Sequence, residues 1–268
     1  MTTIDVRSEA GTAAQKPVKS PKWGPVARGG SYTSMLLAMA PVIALFVSWR
    51  VYQQVWAFEN GLDAHDPAFN KYWLSLALAN MTLLPAAAGA WYVWMWLSGQ
   101  KLNKQPSREE ESRRIWSLWL IVLSFTTAVF GAASYCAEQD ASWHQIVTRD
   151  TAFTPSHDVL FYGSFPVLIY LAVGAFIYAR TRLPHLFGGK LVPVSFALII
   201  GGTILLMFQV AMNEFGHSFF QAEEVFAAPL HWPFVIFGYL LAATFAVWFS
   251  TVPRAAELAR QERTAASA

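Results

Sequence analysis

The sequence predicts an all-α integral membrane bundle of about six transmembrane helices, with both termini cytoplasmic. Three observations predict it. The 268 residues are 55% hydrophobic and only 13% charged, whereas soluble domains carry about 25% charged residues. Six apolar segments are each long enough for the roughly 20 residues a helix needs to cross a bilayer. The basic residues sort to one side of those segments.

The elements follow in chain order. Residues 1–30 are polar and hold no apolar run, so they read as a cytoplasmic tail. They also lack the short hydrophobic region and small-residue cleavage site of a signal peptide. The first segment covers about Ser34–Trp56 and carries Arg50, Gln53 and Gln54 late. The second is Tyr72–Leu97, with Pro85 expected to kink it. The third is Ile115–Ala137, the fourth Val159–Ala179, the fifth Leu191–Asn213 and the sixth Trp232–Val252. In lipid a segment must satisfy its own backbone, so each is predicted helical. Tyr92, Trp94, Trp96, Trp116 and Trp119 sit near segment ends, as interfacial aromatics do. The transmembrane domain thus spans 31–253, and 254–268 is a second cytoplasmic tail.

With six spans, the two tails, the connector between spans two and three, and the connector between spans four and five share a side. That side holds 16 of the 19 Lys and Arg residues; Arg50, Lys71 and Arg149 are the others. The positive-inside rule makes it cytoplasmic. The connector KLNKQPSREEESRR reads as a solvated topology signal. The remaining loops face outward, to the periplasm or its equivalent.

Those outward loops carry two related patterns. Asp140, His144 and His157 form D-x3-H-x12-H, and Asn213, His217 and His231 form N-x3-H-x13-H. Positions i and i+4 share a helical face, so Asp140 and His144 point together if the third helix runs on past Ala137. Thr154-Pro155 is a helix-start signal that brings His157 back at the head of the fourth span. Asn213 and His217 close the fifth span, and His231 opens the sixth between Pro229 and Pro233. Two imidazoles and one oxygen make a three-donor site with open positions, which suits zinc, copper or non-haem iron alike. The carboxylate makes the first triad the stronger cation site. Glu138, Glu214, Glu223 and Glu224 flank the triads, as outer partners of the imidazoles or as solvated carboxylates. Arg50 is expected to pair with an acid or to snorkel, and Cys136 to be packed. His65 and His185 have no partner at ligand spacing.

The strings EQDASWHQIVTRDTAFTPSH, FYGSFP, TRLP, NEFGH and APLHW resemble the C subunit of the copper membrane monooxygenases, the family of particulate methane, ammonia and short-chain hydrocarbon monooxygenases. The resemblance is dense from Ser134 to Trp232 and thin over the first three spans. It implies a multi-pass protein of the bacterial inner membrane, in a trimer of protomers with the A and B subunits. It implies copper on Asp140, His144 and His157, and a neighbouring site on Asn213, His217 and His231, which zinc can occupy in a purified protein. The reaction it implies inserts one atom of O₂ into a small substrate, apolar or ammonia-like, with a quinol as reductant and no nucleic acid involved. The sequence departs from the family pattern at Asp158, where an aliphatic residue is usual, at Phe215 for tryptophan, and at Gln221 and Ala222. These departures favour a short-chain hydrocarbon over methane or ammonia.

Two other classes fit parts of the pattern. A haem-binding electron-transfer protein of the membrane would use His217 and His231, although Pro229 and Pro233 argue against one unbroken helix between them. A metal-ion transporter would use the triads as transit sites. A zinc metalloprotease is disfavoured because no H-E-x-x-H occurs.

Overall fold

The computed structural model describes residues 30–57, 59, 60, 65–137, 139, 140, 153–189, 191–220 and 233–267, with the backbone alone over 210–220, 233–235 and at 266. All regular structure among them is helical. Six long helices run as α1 (Tyr32–Trp56), α2 (Pro67–Gln100), α3 (Arg108–Cys136), α4 (Pro155–Arg182), α5 (Val194–Phe220) and α6 (Pro233–Ser267). Five of these, α1 to α4 and α6, are long and apolar enough to cross a membrane, and α5 is apolar over Val194–Gln209. The chain is an all-α membrane bundle. Apart from Gly30, the tail expected over 1–30 lies outside the described residues.

Each predicted span is present, and most helices extend beyond the apolar run because their ends are capped by polar residues. Ser31 accepts a hydrogen bond from the Ser34 amide (3.4 Å) and Asp66 from the Ala68 amide (2.8 Å). Ser107 accepts from the Glu110 amide (3.3 Å), and Glu109, Glu110 and Glu111 fill the first turn of α3, where the helix dipole favours negative charge. The third helix therefore starts at Arg108, seven residues before the apolar run. Residues after Val252 continue α6 as one helix to Ser267, with Pro253 inside it. Pro85 likewise lies inside a continuous α2.

The packing order puts α3 and α4 in the middle. α3 touches α1, α4 and α6; α4 touches α2, α3 and α5; α5 and α6 form a close pair. In the apolar window of α4, 56% of residues are buried inside the bundle, against 17% for α1. Phe125, Leu118, Phe165, Leu168 and Phe196 fill the shared core. Small residues let the helices approach: a Cβ on Gly174 of α4 would sit 2.2 Å from the Trp91 ring of α2. Gly174→Ala should force that indole aside and lower stability by about 1–3 kcal/mol, read as a lower melting temperature of the purified protein. An unchanged melt would mean that α2 and α4 slide apart freely.

The connector read as solvated is partly core. Glu111, Ser112 and Arg114 are buried. Glu111 Oε1 lies 2.7 Å from His185 Nε2, and the Glu111 carboxylate accepts from Arg254 Nε (2.8 Å) and Nη2 (2.7 Å). Arg114 donates to the carbonyls of Asn103 and Arg182, both at 3.0 Å. Arg182 reaches across to the Met95 carbonyl (2.9 Å) and Ser98 Oγ (2.6 Å). One end of α2, α3, α4 and α6 is thus tied by hydrogen-bonded charges. His185, to which the sequence assigned nothing, belongs to this clamp.

Candidate metal centre

The opposite end of α3 carries the first predicted site. The backbone is helical at 137, 139 and 140, so the helix does pass Ala137 as its Asp140–His144 logic requires. Thr154 precedes α4 and Pro155 opens it, as the Thr-Pro signal predicts. The head of α4 stands beside the end of α3: His157 Nε2 lies 3.3 Å from Asp140 Oδ1. The imidazole is fully buried. Its ring stacks on Phe161 one turn further along, with centroids 4.5 Å apart and planes at 25°. Phe165 and, from α6, Phe237 continue the aromatic wall, at centroid spacings of 5.8 and 5.7 Å.

Sequence reasoning missed Ser156, whose hydroxyl donates to the same Asp140 oxygen at 2.6 Å. Its signal was its place beside His157 in the first turn of α4. The reasoning also missed three π-helical turns at Asn70–Leu74, Ala132–Cys136 and Leu160–Ser164. All three lie at the Asp140 end of their helices, and two of them touch. Such turns are rare and tend to occur at functional sites. Serine hydroxyls accompany them, with Ser75, Ser134 and Ser164 each bonded to the carbonyl four residues back. Ser98 and Ser117 do the same in ordinary helix, so serine alone does not mark the π turns.

The remaining predicted ligands are distributed as follows. His144, His231, Glu138, Glu223 and Glu224 lie outside the described residues. Asn213, Glu214 and His217 lie on the α5 backbone, with Asn213 and His217 one turn apart. With His144 outside them, the described residues contain no group of three His, Cys, Asp or Glu side chains able to hold an ion. Arg50 places its guanidinium over the Tyr135 ring, 5.4 Å from the centroid, and is paired with no acid among the described residues. Cys136 is buried in the core.

The donor pair fits a transition metal. An ion bonded to a carboxylate oxygen and an imidazole nitrogen at about 2.0–2.2 Å holds those atoms about 3 Å apart. Asp140 and His157 already stand at that spacing, the imidazole fully buried and the carboxylate 13% exposed.

A polytopic helical bundle with a carboxylate–imidazole pair where two helix ends meet is the class of protein these features define. Over residues 30–262 the chain matches the family model of the ammonia monooxygenase/methane monooxygenase C subunit. It belongs to that family and is one subunit of a membrane monooxygenase. Comparison with the curated proteins gives no match.

Proposed function

We propose that this chain is the C subunit of a copper-dependent monooxygenase, assembled with the A and B subunits in a trimer of protomers, that oxygenates a short-chain hydrocarbon. The Asp140–His157 pair, 3.3 Å apart in a chain of this family, carries the proposal. Asp140, His144 and His157 hold one copper; Asn213, His217 and His231 hold a second ion less tightly, because their set carries no charge. The basic clamp at the other end of α3 supports a periplasmic position for these sites in an inner membrane.

Copper held there supplies the binding and activation of O₂. The overall reaction balances as one oxygen atom into the substrate and one into water, with two electrons and two protons from a quinol. The chain's own residues do the rest. Asp140 supplies the negative charge that offsets a cation in a low-dielectric site. Ser156 fixes the Asp140 carboxylate by its hydrogen bond. Phe161 fixes the imidazole plane and, with Phe165, keeps water from the site. Apolar substrates concentrate in the bilayer, next to this wall.

Ser156→Ala should weaken copper binding about 10–100-fold, the usual loss when an outer partner of a ligand is removed. A copper titration of the purified complex reads it; wild-type affinity would show that Asp140 needs no such support. Elemental analysis of the same complex, with product assays on methane, ethane, butane and ammonia, tests the whole reading. Bound copper with alcohol formed from ethane or butane is expected. Absence of copper, or turnover of ammonia alone, would overturn it.

A further inference from the structure

A second buried polar group lies beside the metal centre but faces another way. Asp158 follows His157 and is turned about 100° around α4 from it. Its side chain is 0% exposed, and neither carboxylate oxygen has a hydrogen-bond partner among the described residues. One turn earlier, on the same face, is Thr154. It is 2% exposed, its hydroxyl caps nothing and has no partner among the described residues, and its carbonyl accepts from the Asp158 amide at 3.0 Å. Gln53 of α1 is 1% exposed and packs on that turn: its Nε2 donates to the Pro155 carbonyl at 2.7 Å, while its Oε1 has no partner among the described residues. Asn80 of α2 closes the group by donating to the Asp158 carbonyl at 3.1 Å.

The Gln53 and Asn80 amides donate to backbone carbonyls, whereas the Thr154 hydroxyl, the Gln53 amide oxygen and both Asp158 carboxylate oxygens are left without partners among the described residues. Thr154 and Asp158 bracket the first turn of α4, and Gln53 of α1 is bonded to the Pro155 carbonyl within that same turn, which gathers two carboxylate oxygens, one amide oxygen and one hydroxyl on buried residues where α1 meets α4. Burying an ionised carboxylate with nothing opposite it is strongly unfavourable. Arg50, one turn before Gln53, does not compensate it, since its guanidinium lies over Tyr135.

We propose that Thr154, Asp158 and Gln53 form an oxygen-only cation site, separate from the imidazole centre, that takes a sodium ion. All-oxygen donor sets select hard cations over copper or zinc. One carboxylate among neutral oxygens matches a single positive charge and leaves no net charge buried. The ion would tie α1 to the first turn of α4, directly behind His157.

The test is thermal melting of the purified complex in sodium chloride and in choline chloride at equal ionic strength, with copper content assayed in each sample. Sodium is expected to raise the melting temperature saturably, by about 5 °C at a hundred-fold excess over its Kd. Asp158→Leu should abolish the response and melt no lower than wild type in choline, because it removes the uncompensated charge. Gln53→Leu should move the response to at least threefold higher sodium. If Asp158→Leu fails to fold, Asp158→Asn keeps the shape and should also lose the response. Identical wild-type melts in the two salts would overturn the proposal, as they would if ordered water alone fills the site. A full response in the Asp158 variants would overturn it too. So would a response that vanishes when copper is stripped, which would assign the effect to the metal centre.

Discussion

Replacing His157 with alanine should strip the copper held at Asp140 and end oxygenation while the bundle remains folded. The imidazole is one of three donors, so its loss should exceed the 10–100-fold effect of losing an outer partner. Activity is then expected at background. The substitution also empties a space against Phe161, where the ring stacks at 4.5 Å, so some stability is lost, about 1–3 kcal/mol. Copper per folded complex separates the two effects: it falls if His157 is a ligand, and it holds if the residue only fills space. Wild-type turnover in a folded His157→Ala complex would remove this triad from the mechanism.

Glu111→Ala should do the reverse, lowering stability while sparing the copper of whatever remains folded. Glu111 is the hub of the clamp, within 2.7 Å of His185 and bound twice by Arg254. Breaking a fully buried pair by deleting one partner costs about 3–5 kcal/mol. Here Arg254 keeps Glu257 at 2.7 Å and its side chain is 31% exposed, so about 2–3 kcal/mol is expected. That corresponds to a melting temperature lower by roughly 5–10 °C. The isosteric Glu111→Gln should lose less, because it keeps an acceptor for Arg254. A melt within about 1 °C of wild type for Glu111→Ala, well inside that expected shift, would show that the four helices are held at that end by apolar packing alone.

Asp140 and His157 were legible as candidate ligands because their spacing and the Thr-Pro helix start are local signals. Their partner Ser156 was not, since an N-terminal serine is far more often a helix-start residue than the support of a carboxylate 16 positions away. Glu111 and Arg114 read as solvated because they sit in a charge run; only the return of Arg254 and Arg182 to the same end makes their burial tolerable. His185 had no partner at ligand spacing because its partner, Glu111, is 74 residues distant.

The sequence by itself determined the number of long helices, the start of α4 at Thr154-Pro155, and the sorting of basic residues to one end. These depend on hydropathy and capping, which act over one turn or one span. Only the tertiary structure decided that α3 and α4 lie at the centre, that Asp140 meets His157 and Ser156, and that Asp158 is buried without a donor among the described residues. The reason is rotational phase. Each π-helical turn holds an extra residue and rotates the chain beyond it, so the face that points inward at the metal end cannot be extrapolated from the regular period of mid-span.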